Sequence, residues 1–148
     1  MIQTIEIGLT IPDNEAYTAL TTLQRLGVEI GGLRRADLWR FELAASAAES
    51  FVDHVRTLET IYNPNKHTLR VRHDERPACG EVWIDEPGHG VLESPVRISG
   101  RVLPGVERAA RSVSWHLQAP EGGPASAEVV RRAVEILLCN PAFQKATI

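Results

Sequence analysis

The stretch RADLWRF at residues 35–41 has a counterpart later in the chain, RSVSWHL at residues 111–117. Each has an arginine, three further residues, a tryptophan, one more residue and a large apolar side chain. A helix pattern that begins near a serine and ends at an Asn-Pro pair follows each stretch. The tryptophans are 76 positions apart (115 − 39) and the asparagines are 77 apart (140 − 63). This agreement favours an internal duplication over the chance likeness of two strand–helix pairs.

The first half reads as alternating strand and helix patterns. Apolar residues recur every second position in the strand patterns and every third or fourth position in the helix patterns. The predicted elements are strand 2–11, helix 15–26 capped by Asp13 or Asn14 and ended by Gly27, strands 28–33 and 38–43 joined by a hairpin at 34–37, helix 47–62 capped by Ser46, and strand 66–72. This is the split βαβ, or ferredoxin-like, order, in which two helices cover one face of an antiparallel sheet.

The second half repeats this order in degenerate form. Its predicted elements are strand 80–85, an extended segment at 96–102, a hairpin within 106–119, helix 127–139 capped by Ser126, and a last strand within 142–148. No helix pattern occupies the place of the first helix, where a Gly/Pro-rich loop begins at residue 86. We therefore predict an α+β chain of two tandem units, with a first unit at 1–73, a connecting strand and loop at 74–101, and a second unit at 102–148.

Composition narrows the classes of function. The chain has 148 residues, 43% of them hydrophobic, and a formal net charge of −3. No basic block suggests a nucleic-acid surface, and no apolar run approaches the roughly 20 residues that span a bilayer. The sequence opens on a strand pattern rather than a signal peptide. We expect a cytoplasmic protein with two free thiols, Cys79 and Cys139, and with no nucleic-acid or membrane partner.

No catalytic constellation is recognisable in the sequence. The group His67, His73, Cys79 and His89 matches no structural zinc spacing, and we expect no metal and no cofactor. The densest polar cluster, Asn63-Pro64-Asn65-Lys66-His67, favours a helix stop followed by a turn. The same residues are also candidates for a partner or ligand contact at a helix end. The candidate contact residues are Asn63, Asn65, Lys66, His67 and, in the second half, Asn140.

The element order resembles PurS, the small subunit of phosphoribosylformylglycinamidine synthase in purine biosynthesis. That family's helix ends in a Leu-Leu-Ala-Asn-Pro-like sequence before a last strand. The segment from Leu137 to Pro141 is similar to it, and residues 61–64 are a looser version. The family's hairpin resembles residues 33–43 and 106–117, although its Gly-Lys turn is absent from both. The resemblance covers residues 1–73 and 102–148 and leaves out 74–101.

The resemblance implies a subunit that is not an enzyme on its own. It would bridge a glutaminase and an ATP-dependent synthetase, and the fused pair of units would imitate a PurS dimer within one chain. Uncovered sheet edges favour further assembly into a homodimer. The alternative is a tandem ACT-like regulatory module that binds a small molecule, since ACT domains share the split βαβ order. ACT-like sites usually have a glycine-bearing turn after the first strand, where this chain has Pro12-Asp13-Asn14.

Overall fold

The computed structural model describes residues 1–88 and 90–148, and it is an α+β structure with few helices and a mostly antiparallel sheet. Its elements are β1 (Ile2–Leu9), α1 (Asn14–Arg25), β2 (Gly32–Leu43), α2 (Phe51–Val55), β3 (His67–Arg72), β4 (Glu81–Asp85), β5 (Val91–Glu93), β6 (Arg97–Ile98), β7 (Arg101–Val102), β8 (Val106–Gln118), α3 (Ala127–Ala133) and β9 (Lys145–Thr147). A 3₁₀ turn covers Ala45–Ala47, and a π-helical turn, Val134–Leu138, extends α3. The α+β class predicted from the sequence is therefore confirmed.

Both ends of α1 follow the rules for helix caps. The Asp13 side chain accepts hydrogen bonds from the backbone N–H groups of Glu15 and Ala16, both at 3.1 Å. These bonds satisfy two of the donors that a helix start leaves unpaired. Gly27, with φ of 85°, follows the helix in the left-handed conformation that glycine tolerates best. The predicted caps of this helix, Asp13 and Gly27, are thus confirmed.

Two predicted hairpins are wrong. Residues 32–43 form the single strand β2, and residues 106–118 form the single strand β8. A two-residue hairpin needs residues that accept positive φ, usually Gly or Asn, and residues 34–37 offer neither. A hairpin occurs instead within the segment predicted as extended, where β6 pairs with β7 across Ser99 and Gly100, both at positive φ.

The second predicted helix is also mostly wrong. Of residues 47–62 only Phe51–Val55 is α-helical, and Ser46 lies in the 3₁₀ turn rather than at a helix cap. The Thr57 hydroxyl donates to the carbonyl of His54 at 2.7 Å, a local bond that competes with helix propagation. The apolar pattern nevertheless identified buried positions correctly, since Leu58 is fully buried and Ile61 nearly so.

The chain forms two compact units that are interleaved along the sequence. The first unit comprises residues 1–11, 37–73 and 88–111, and the second comprises 12–36, 74–87 and 112–148. The boundaries between them fall inside β2 and inside β8. The compact units therefore differ from the sequential division at residues 73 and 74, and each takes segments from both halves of the sequence.

The first unit has the strand order β3-β1-β2-β8, with β5 also paired to β8. Strand β1 pairs antiparallel to β3 with Ile5 opposite Val71 and Ile7 opposite Leu69. A core of apolar side chains lies on the face that α2 covers. Its buried members are Ile5, Ile7, Phe41, Leu43, Phe51, Val55, Leu58, Ile61, Val96, Ile98, Leu103, Val106 and Ala109.

The second unit has the strand order β2-β8-β4-β9. Strand β4 pairs antiparallel to β8 with Val82 opposite Trp115. Alternate residues of these strands join side chains from α1 and α3 in one core, so both helices lie on the same face of this sheet. The buried members of this core are Ala16, Leu23, Val28, Ile30, Val82, Ile84, Trp115, Leu117, Ala125, Val130, Ala133 and Leu138.

Within residues 1–88 and 90–148, no helix is both long enough and apolar enough to cross a membrane.

Candidate functional site

The two Asn-Pro segments contain the residues that the sequence analysis singled out. Asn63, Asn65, Lys66 and His67 lie together in one turn of the first unit, and Asn140 lies in a turn of the second unit. In the first turn the Asn63 side-chain oxygen accepts from the Asn65 N–H at 2.9 Å. His67 Nδ1 accepts from the Asn63 N–H, also at 2.9 Å. These polar atoms therefore stabilise the turn itself, whereas the Lys66 side chain is exposed.

The second turn makes the same set of bonds. The Asn140 side-chain oxygen accepts from the Ala142 N–H at 3.0 Å, and the Gln144 Oε1 atom accepts from the Asn140 N–H at 2.7 Å. In both turns the asparagine carbonyl also accepts from the N–H groups three and four positions later. A strand begins at or directly after the last residue of each turn, β3 at His67 and β9 after Gln144.

The Arg and Trp residues of the repeated stretches also form matching pairs. In the second unit the Arg35 guanidinium carbon lies 5.9 Å from the centre of the Trp115 ring. In the first unit the Arg111 guanidinium carbon lies 5.9 Å from the centre of the Trp39 ring. Each arginine therefore lies over the tryptophan of the other stretch, at a distance where the ring quadrupole attracts a cation.

A cleft of about 480 Å³ lies beside the first of these pairs, within the second unit. We call it the Trp115 cleft. Its lining comes from α1, β2, β4, β8, the π-helical turn and the segments that flank them. The lining residues are Glu15, Thr18, Ala19, Thr22, Arg35, Ile84, Glu86, Val113, Trp115, Leu137, Leu138 and Gln144. This volume falls within the range of about 300–1,000 Å³ that is typical of small-molecule sites.

One side of the Trp115 cleft is apolar. Ile84, Val113 and Trp115 supply its floor from β4 and β8, where Ile84 lies opposite Val113 in the register. Leu137, from the π-helical turn, lines the cleft and is 41% exposed. A ligand with an apolar body would cover this surface and remove it from water.

The polar side of the cleft is organised by Arg35. Its Nε atom lies 3.3 Å from an Asp13 carboxylate oxygen, and it also forms an ion pair with Glu15. Because Asp13 caps α1 with the same carboxylate, the guanidinium is held against the helix start as well as over Trp115. The arginine is therefore fixed in position and its charge is matched by two carboxylates.

Gln144 connects the second Asn-Pro turn to the cleft. Its Oε1 atom accepts from the Asn140 N–H, and its Nε2 atom donates to the Glu86 carboxylate at 3.1 Å. Asn140, a predicted contact residue, thus orients a cleft residue without lining the cleft itself. The cleft could not be predicted from the sequence because its lining comes from segments that are distant in sequence. The repeated arginine and tryptophan mark two of its lining residues but not their pairing.

A second polar group, Glu81, Ser114 and His116, lies on the opposite face of the same sheet. The Glu81 carboxylate accepts from the Ser114 hydroxyl and lies 3.3 Å from His116 Nε2. Such residue types suggest a nucleophilic triad, but Glu81 is 1% and Ser114 0% exposed. The carboxylate also contacts the same imidazole nitrogen that faces the serine, whereas a triad acid binds the other nitrogen. This arrangement satisfies buried polar groups and offers no exposed nucleophile.

The cysteines and histidines considered for a metal site lie in different surroundings. Cys79 is exposed and Cys139 is half-buried, and both are free thiols. His67 is engaged in its turn. His89 lies outside the described residues.

No protein-family model matches this sequence, and no curated protein is detectably similar to it.

Proposed function

We propose that this chain is a non-catalytic bridging subunit related to PurS, made of two fused ferredoxin-like units. The strand order of each unit supports the fold. The second unit runs β2-β8-β4-β9 with two helices on one face. This order matches the split βαβ fold when the part of β2 that belongs to this unit is taken as the second strand of that fold. The first unit has the equivalent strand order, and its segment 88–105 takes the place of the first helix.

The observation that carries the proposal is the pair of Asn-Pro turns. Four hydrogen bonds join the asparagine of each turn to the residues that follow it, and the four agree position by position in the two units. Two unrelated turns have no reason to share a side-chain acceptor four residues after the asparagine, which is His67 in one and Gln144 in the other. This agreement supports a duplicated ancestor of about 76 residues, since the tryptophans are 76 apart.

Two further features support a role as a bridge rather than as an enzyme. In the Glu81–Ser114–His116 group the hydroxyl and the carboxylate are buried, and the arginine of the Trp115 cleft is already paired with two carboxylates. Strands β3 and β9 lie at sheet edges, where unpaired backbone groups can pair with another chain. We propose these edges as places for partner subunits or for a second copy of the chain. The proposed partners are a glutaminase and an ATP-dependent synthetase of the phosphoribosylformylglycinamidine synthase type.

The test is reconstitution with the glutaminase and synthetase of the same organism. We expect glutamine-dependent amide transfer to require this chain, and the three proteins to co-elute in size-exclusion chromatography. Lys66→Glu, at the exposed end of the first Asn-Pro turn, should weaken the complex. Arg76→Glu, which makes the same charge change on another exposed residue, is the control. Full activity without the chain, together with separate elution, would contradict the proposal.

One observation favours the second candidate function, a tandem ACT-like ligand-binding module. The Trp115 cleft combines an apolar floor with a few convergent polar groups, which is the usual composition of a small-molecule site. A bridging subunit does not need such a cleft. The two functions are separable, because ligand binding is measured on the chain alone and bridging only with its partners.

A further inference from the structure

We infer that the Trp115 cleft binds a small organic cation, an ammonium group carried on an apolar body. The inference deepens the second candidate function and does not depend on the bridging role. It follows from the apolar lining of the cleft, the balance of charge around it and the way Arg35 is already engaged.

The apolar part of the cleft selects the body of the ligand. Trp115 is 7% exposed, and with Ile84 and Val113 it presents a continuous apolar floor from two paired strands. Ala19 of α1 and Leu138 of the π-helical turn also line the cleft. An apolar body buried against these side chains gains hydrophobic energy.

The charges around the cleft determine whether it favours a positively or a negatively charged ligand. Glu15 and Glu86 line the cleft together with the single guanidinium of Arg35, and Asp13 stands behind that guanidinium. Three carboxylates therefore face one cation, a balance of −2. Nearby negative charges favour a positively charged guest and oppose a carboxylate or phosphate.

Arg35 is a weakened receptor for an anion because three of its five N–H groups already face carboxylates and its charge is matched by them. Nε and Nη2 donate to Asp13 at 3.3 and 3.4 Å, and Nη1 is paired with Glu15. An incoming anion would have to displace these carboxylates or sit beside them. Glu86, in contrast, is exposed, and its carboxylate accepts a hydrogen bond at 3.1 Å from Gln144. A carboxylate has about four acceptor positions, so Glu86 can also accept from a ligand ammonium group.

The experiment compares two probes of similar size and opposite charge on the full chain. Tryptamine carries an ammonium group on an indole, and indole-3-propionate carries a carboxylate on the same ring. We expect tryptamine to bind with a dissociation constant on the order of 0.1–1 mM, as befits a ligand this small. We expect indole-3-propionate to bind at least about tenfold more weakly, because it meets like charges. Isothermal titration calorimetry measures both.

Two-dimensional NMR locates the bound probe. The chain has three tryptophans, and of these only Trp115 lines the cleft. Tryptamine should therefore shift the Trp115 indole N–H signal more than those of Trp39 and Trp83. Glu86→Gln should weaken tryptamine binding about two- to fivefold, as expected for a partly exposed ion pair. Glu121→Gln, the same change at an exposed site that does not line the cleft, should leave it unchanged.

Three results would overturn the inference. They are equal or tighter binding of indole-3-propionate, a tryptamine shift centred on Trp39 or Trp83, and equal effects of the Glu86 and Glu121 substitutions. None of these bears on reconstitution with the glutaminase and synthetase. Failure of the ligand site and failure of the bridging role are therefore distinguishable.

Discussion

Asp13 has two separable roles, and substitution at this position tests the local structure behind the Trp115 cleft. Its carboxylate caps α1 through two N–H bonds at 3.1 Å and pairs with Arg35 at 3.3 Å. The side chain is 15% exposed, so solvent screens the pair only in part. Loss of an N-cap costs about 1 kcal/mol of unfolding free energy. Loss of the charge at a helix start beside one cation costs about 1 kcal/mol more.

Asp13→Asn keeps a capping oxygen and removes the charge, whereas Asp13→Ala removes both. We therefore expect destabilisation by about 1 kcal/mol for Asn and about 2 kcal/mol for Ala. The corresponding falls in melting temperature are about 2–4 °C and 4–8 °C for a chain of this size. Urea denaturation followed by circular dichroism measures the free energies, and 1 M salt should reduce only the charge-dependent part.

The reasoning about Asp13 fails if Asn is as damaging as Ala, since the cap would then contribute nothing. It also fails if neither variant differs from the native chain. Asp53→Ala is the matched control, because Asp53 lies in the first turn of α2 but its side chain is 84% exposed. Its unfolding free energy should stay within about 0.5 kcal/mol of the native value.

Two further predictions concern backbone geometry and the interleaved units. Gly80→Ala should destabilise the chain by about 2–3 kcal/mol, because φ is 77° and a Cβ would lie 2.7 Å from the Leu117 carbonyl oxygen. Gly88→Ala, at φ of 84° with nothing within 4 Å, should cost only about 1 kcal/mol, and equal costs by urea denaturation would refute the clash. Fragment 1–73 alone should fail to form a cooperatively folding monomer, since the first unit also needs segment 88–111. A monodisperse folded monomer in analytical ultracentrifugation would contradict this, and co-expression with fragment 74–148 is the positive control.

Local signals predicted much of the second unit's helical structure. Asp13, Gly27 and Ser126 lie at the helix boundaries that their side chains or φ values favour. Such caps act over three or four residues, so the sequence contains the whole interaction. The final strand, β9, was likewise expected within residues 142–148 because a proline and a turn precede it.

The pairing of the long strands could not be predicted in this way. Residues 34–37 are expected to connect two separate strands only if each half of the sequence forms a complete sheet by itself. The Gly31 N–H donates to the Gln118 carbonyl at 2.8 Å in the second unit, and the Ala44 N–H donates to the Gly105 carbonyl at 2.8 Å in the first. Bonds between positions more than 60 residues apart leave no local pattern, and strand formation depends on the partner strand.

The cleft could not be predicted for a related reason, although some residues in or near it stood out in the sequence. From the sequence, Asn140 is a predicted contact residue, and Arg35 and Trp115 belong to the repeated stretches. The structure places Gln144 and Arg35 in the cleft lining with Trp115. A repeated Arg-x₃-Trp spacing puts the two side chains on the same face of one strand, so it suggests a pair within a stretch. The observed pairs join the arginine of one stretch to the tryptophan of the other, because β2 and β8 are neighbouring strands.

The two arginine–tryptophan pairs have different surroundings, and this difference bears on function. In the first unit Arg111 pairs with the half-exposed Asp37 at 3.0 Å, and Val96 and Leu103 are buried in the core. In the second unit α1 supplies a capping carboxylate to Arg35 and one wall of the cleft. The two pairs thus share the same ring-to-guanidinium distance but differ in the elements around them. The organic-cation site that we infer depends on α1, so it belongs to the second unit and implies one bound ligand per chain.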